Sequence, residues 1–121
     1  MKRNLSILGG VAVAVASVIL AAGPASASPF IDTPSTPTGC WGRLELAYPN
    51  WGYGSAHSGN VTCTFTISQH NLQTYGQQNW SMTIPPGGYG ESPLFYRGDG
   101  VHQLDVCVDD GTSFYCTGWY N

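Results

Sequence analysis

The chain has 121 residues, with four Lys or Arg against seven Asp or Glu and a net charge of −3. Its length allows one small domain. So few basic side chains argue against nucleic acid or an anionic membrane surface as partner, because both need clustered Lys and Arg.

The first element is an export signal. Lys2 and Arg3 give a positive start, Val11 to Ala22 an apolar run, and Ala25-Ser26-Ala27 a small-residue cleavage site. A spanning helix needs about 20 predominantly apolar residues. Leu5 to Ala22 falls short of that and is diluted by Ser6, Gly9, Gly10 and Ser17. Residues 1–27 are therefore expected to be a cleaved Sec signal, leaving a secreted, extracellular protein of bacterial character with no stable membrane insertion. The Lys-Arg pair, in place of twin arginine, implies export before folding, so no cofactor is expected. Cleavage leaves 94 residues, in which only Arg43 and Arg97 oppose the seven carboxylates.

Residues 28–39 hold Pro29, Pro34 and Pro37 among Ser and Thr, and they read as a disordered leader to a domain at 40–121. Beyond the leader the periodicity is two. Leu44, Leu46 and Tyr48 alternate with Arg43, Glu45 and Ala47; Val61, Cys63, Phe65 and Ile67 alternate with Thr62, Thr64, Thr66 and Ser68. Trp80, Met82 and Ile84 alternate with Asn79, Ser81 and Thr83, and Leu104, Val106 and Val108 with Asp105, Cys107 and Asp109. Each run predicts a strand with one wet face. Leu94 to Tyr96 and Phe114 to Trp119 add two more. Between them lie turn residues at Pro49-Asn50, Gly76, Pro85 to Gly88, Arg97 to Gly100 and Asp109 to Gly111. The expected fold is all-β, a small antiparallel sandwich.

Four cysteines in an exported chain this small predict two disulfides. Cys63 lies on the apolar face of its strand and Cys107 on the polar face of its own, so the two do not readily bridge a core. Cys107 and Cys116 lie opposite each other if the loop is centred between Gly111 and Thr112, which leaves Cys40 for Cys63. A two-residue Asp110-Gly111 turn would instead set Cys107 against Phe114.

From Pro85 onward the chain resembles immunoglobulin-like domains of bacterial exoproteins. Ile84-Pro85-Pro86-Gly87-Gly88 is similar to their loop before a middle strand, and Gly100 to Val108 (GVHQLDVCV) to their penultimate strand. The Ala-rich signal and Pro/Thr leader resemble small secreted actinobacterial proteins. The resemblance implies an immunoglobulin-like β-sandwich and no activity.

Catalytic, cofactor and metal motifs are not found in the sequence. His57, His70 and His102 share no close-spaced ligand pattern, and Gly54 to Gly59 (GSAHSG) reads as a polar surface loop rather than a nucleophile elbow. Glu45 and Glu91 are the only glutamates, and a glycosidase pair would need both in one cleft. A non-enzymatic role is therefore expected. Trp51, Tyr53, Tyr75 and Tyr89 sit among glycines and turn residues, where rings exposed on loops form a binding patch for an extracellular glycan or protein. The alternative is inhibition of a secreted amylase or protease through a tip at Tyr96, Arg97 and Asp99. Actinobacterial α-amylase inhibitors resemble the chain in size, export and disulfide count, but their Trp-Arg-Tyr motif is absent. Arg97-Gly98-Asp99 also spells an integrin-binding tripeptide, read here as a Gly-rich turn.

Overall fold

A computed structural model describes residues 29–47 and 49–121; the expected export signal at 1–27, Ser28 and Tyr48 lie outside the described residues. The described residues contain nine strands and no helix: β1 (Phe30–Asp32), β2 (Trp41–Ala47), β3 (Trp51–His57), β4 (Cys63–Asn71), β5 (Gln77–Ile84), β6 (Tyr89–Glu91), β7 (Phe95–Tyr96), β8 (His102–Asp109) and β9 (Phe114–Cys116). Every pairing is antiparallel. One sheet, here sheet A, runs β1-β2-β3-β6 with β7 also paired to β3; the other, sheet B, runs β5-β4-β8-β9.

The core lies between the sheets, where Leu44 and Ala56 of sheet A meet Phe65, Ile67, Ile84, Leu104, Val106 and Val108 of sheet B. The alternation in β4 and β8 is as expected, with Cys63, Phe65, Ile67, Leu104, Val106 and Val108 buried. In β5 only Ile84 is fully buried, because this strand forms the edge of sheet B.

Both expected disulfides form. Cys40, just ahead of β2, joins Cys63 at the start of β4 and so ties sheet A to sheet B; Cys107 and Cys116 pair across β8 and β9. Asp109 lies opposite Phe114, so the β8–β9 loop has four residues rather than two. Asp110 closes it, accepting from the amides of Thr112 at 2.9 Å and Ser113 at 2.7 Å.

Two expectations need correction. Residues 29–39 are not a leader lying outside the fold, since β1 pairs with β2 and places Ile31 against Leu44. Thr33 and Thr36 are buried, and their hydroxyls accept from the amides of Gly42 and Cys40. Thr38 donates to Asp110 at 2.6 Å, fastening this segment to the β8–β9 loop. Hydroxyls satisfying backbone groups, rather than apolar side chains, bury the segment.

The second correction is larger. Trp51 to His57, read as loop, is β3, the strand on which sheet A is assembled. Its alternation is inverted in size: Gly52, Gly54 and Ala56 point inward, while Trp51, Tyr53, Ser55 and His57 occupy the other face. The inward glycines make room for sheet B. A Cβ at Gly52 would stand 2.6 Å from Leu104 Cδ1, and one at Gly54 2.9 Å from Phe65 Cε1. Large side chains from β4 and β8 thus fill the core opposite β3, whose own bulky residues face away, while Leu44 is the large fully buried side chain that sheet A contributes.

Candidate binding face

Register fixes what that outer face presents. Along β3 the cross-strand rows are Ala47–Trp51–Tyr96, Phe30–Glu45–Tyr53, Asp32–Arg43–Ser55–Glu91 and Trp41–His57–Tyr89. From the first row to the last is six residues, about 20 Å at the usual strand rise. The face therefore carries Phe30, Trp41, Trp51, Tyr53, Tyr89 and Tyr96. Phe30, Tyr89 and Tyr96 remain about half exposed, at 51%, 51% and 52%.

The rings are held by one another. Trp41 stacks on His57 with centroids 4.6 Å apart, and His57 meets Tyr89 at 4.6 Å. The Arg43 guanidinium lies 3.8 Å above the Phe30 ring and 5.4 Å from that of Trp41. A continuous ring-and-cation stack thus crosses β1, β2, β3 and β6. At the other end Trp51 stacks on Tyr96 at 4.1 Å. Such cross-strand pairs each contribute roughly 0.2–1 kcal/mol and limit the freedom of the rings.

Charged groups are interleaved with the rings. Asp32 takes two hydrogen bonds from Arg43, at 2.6 and 3.2 Å, and this contact raises the arginine's pKa further. Tyr89 donates to Glu91; that bond, with desolvation and the carboxylate's charge, pushes the phenol up to about 12. Desolvation, then the charges of Glu45 and Glu91, raise Tyr53 as well. Both phenols stay protonated at neutral pH; Tyr53 keeps its O–H to donate, whereas that of Tyr89 is committed to Glu91.

Trp51, Tyr53 and Tyr89 therefore share one face, but on strands rather than loops. Tyr75 does not join them: it lies in the β4–β5 turn with a positive φ of 62° and is 79% exposed. Phe30, Trp41, Arg43 and His57 belong to the face and were missed, because the face becomes visible only once 51–57 is recognised as a strand with glycine inside. Of the alternative tip, Tyr96 joins the face, whereas Arg97 is turned back onto the carbonyls of Trp51 at 2.8 Å and Asn121 at 2.9 Å. Asp99 accepts from the amides of Val101 and His102 and pairs with His102 Nδ1 at 2.6 Å. Neither end of the Arg-Gly-Asp tripeptide points freely outward.

The histidines are dispersed: His57 on sheet A, His70 beside Trp119 at 5.5 Å, and His102 against Asp99. Among the described residues, the one group with metal-ligand proximity is Asp105 with Cys107 and Cys116, whose sulfurs are joined to each other. Glu45 and Glu91 stand on the outer face on either side of β3.

Compared with family models, curated proteins and solved structures, the chain matches none.

Proposed function

We propose that this chain is a secreted, non-enzymatic binding module whose sheet A face docks a neutral extracellular glycan. The inversion of β3 carries the reading. The strand spends its inward positions on Gly52, Gly54 and Ala56 and displays Trp51, Tyr53 and His57 on the other side. Aromatic side chains normally contribute most when buried in a core, so a contiguous ring-bearing face points to an interaction surface. Rings stiffened by stacking lose little freedom on docking, and their flat sides suit the apolar faces of sugars. Glu45 and Glu91 supply acceptors and Tyr53 a donor for hydroxyls, and the net negative charge disfavours an acidic polymer.

The sheet order supports an immunoglobulin-like assignment. β5-β4-β8-β9 corresponds to C′-C-F-G, and β2-β3-β6 to A-B-E, with β1 as an added edge strand. Two disulfides fit export to an oxidising compartment.

Retention on insoluble neutral polysaccharides tests the function. Trp51→Ala, Tyr53→Ala and Tyr89→Ala are each expected to weaken retention by about tenfold, as removal of a ring at the centre of a contact does. Unchanged retention in all three, or none by the parent protein, removes the reading.

A further inference from the structure

The inward rows of sheet B change chemistry at one end. On β4, Cys63, Phe65 and Ile67 are followed by Gln69 and Asn71; on β5, the position opposite Gln69 is Gln78; on β8, the position opposite Asn71 is His102. β4 and β5 thus switch from apolar to amide at the Gln69–Gln78 row, where β8 still carries Leu104, and β8 switches one row later at His102. They border a cavity of about 310 Å³, completed by Thr74, Gly76 and Gln77.

The hydrogen bonds already made define what the cavity offers. Gln69 donates its amide to the Tyr96 carbonyl at 3.2 Å, leaving its side-chain oxygen. Asn71 Oδ1 accepts from the amides of Gln73 and Thr74, leaving its NH2 group. His102 commits Nδ1 to Asp99, leaving Nε2. Gln78 has no side-chain partner among the described residues. Donors and acceptors are mixed, and no charged side chain lines the space. A ligand matching this set carries several groups that each donate and accept, and no net charge.

The turn that supplies Thr74 and Gly76 also carries a ring. Tyr75 lies between the lining residues Thr74 and Gly76, and among the described residues it is the one non-glycine with positive φ. A bulky side chain is disfavoured there, although Gly76 is the next residue. The turn holds it in place, with the Tyr75 amide donating to the Asn71 carbonyl at 2.7 Å. Tyr75 itself is 79% exposed.

We propose that this end cavity is a second, separate ligand site that takes a single neutral sugar unit, its hydroxyls on Gln69, Asn71, Gln78 and His102 and its apolar side on Tyr75. It meets the sheet A face at Tyr96, whose carbonyl accepts from Gln69 and whose ring lies 6.3 Å from that of His102, and lies apart from the Trp41–His57–Tyr89 end of that face. Titrating the isotopically labelled protein with free glucose, galactose, mannose and N-acetylglucosamine, followed by amide and side-chain NMR, tests it. At least one sugar should shift the Asn71 and Gln78 side-chain amides, and Gln78→Ala and His102→Ala should weaken that binding by at least about tenfold. Tyr75→Gly removes the ring while relieving the backbone, so it should lose affinity without losing thermal stability. The face variant Tyr89→Ala should titrate like the parent even if polysaccharide retention fails, which separates the two sites. No shift with any sugar, or shifts that survive both Gln78→Ala and His102→Ala, overturns the proposal.

Discussion

Gly54 shows how tightly single residues are constrained here. A Cβ at this position would lie 2.9 Å from Phe65 Cε1 and 3.0 Å from Val106 Cγ2, both packed in the core. Gly54→Ala is therefore expected to destabilise the fold by about 1–3 kcal/mol through overpacking, read as a lower urea midpoint at unchanged slope. Asp110 gives the pH dependence. The Thr38 hydroxyl, then the Thr112 and Ser113 amides, hold its carboxyl well below the usual carboxylate range. A group whose folded pKa is depressed supports the fold fully above its unfolded pKa, about 3.9, and loses that support as pH falls through the folded value. Acidification from about pH 4 toward that depressed value should therefore progressively release the Thr112 and Ser113 amides to hydrogen exchange ahead of the core. Asp110→Asn should bring the same loosening to neutral pH.

Among the elements, the two disulfides differ in span. By the loop-entropy model, the Cys40–Cys63 bridge contributes roughly 3.4 kcal/mol and the Cys107–Cys116 hairpin bridge roughly 2.7. Cys40→Ala/Cys63→Ala should accordingly lower the guanidinium midpoint more than Cys107→Ala/Cys116→Ala, the more so because the first bridge joins the two sheets. Their pairing was legible in the sequence because face parity in β4 and β8 is written in large apolar side chains. β2, β4, β5 and β8 were readable for the same reason. β3 was not: with Gly52, Gly54 and Ala56 inside, the pattern of a loop and that of this strand coincide. β1 was hidden because Thr33 and Thr36 bury through hydroxyl bonds rather than hydrophobicity. The candidate face was correspondingly half legible. Trp51, Tyr53 and Tyr89 stood out as rings near glycine, but their partners Phe30, Trp41 and Arg43 required the cross-strand register.

At the scale of the molecule, the two sheets turn unlike surfaces to their surroundings. Sheet A shows rings and paired charges, whereas sheet B shows Thr64, Thr66, Ser68, Asn79, Ser81 and Thr83, with Thr66 and Ser81 bonded at 2.8 Å. If sheet A docks a neutral glycan mainly by stacking, ionic screening has little to act upon. Retention on neutral polysaccharide should then change less than about twofold between low salt and about 1 M NaCl, and a strong loss with salt would point to an ionic partner instead.

The glycine lining of sheet A has one more effect. Because sheet B supplies most of the interior volume, the displayed side chains support the fold only through their cross-strand pairs and not through core packing. Successive sequences can rewrite the outer surface, trading one recognition pattern for another, while the scaffold beneath stays the same.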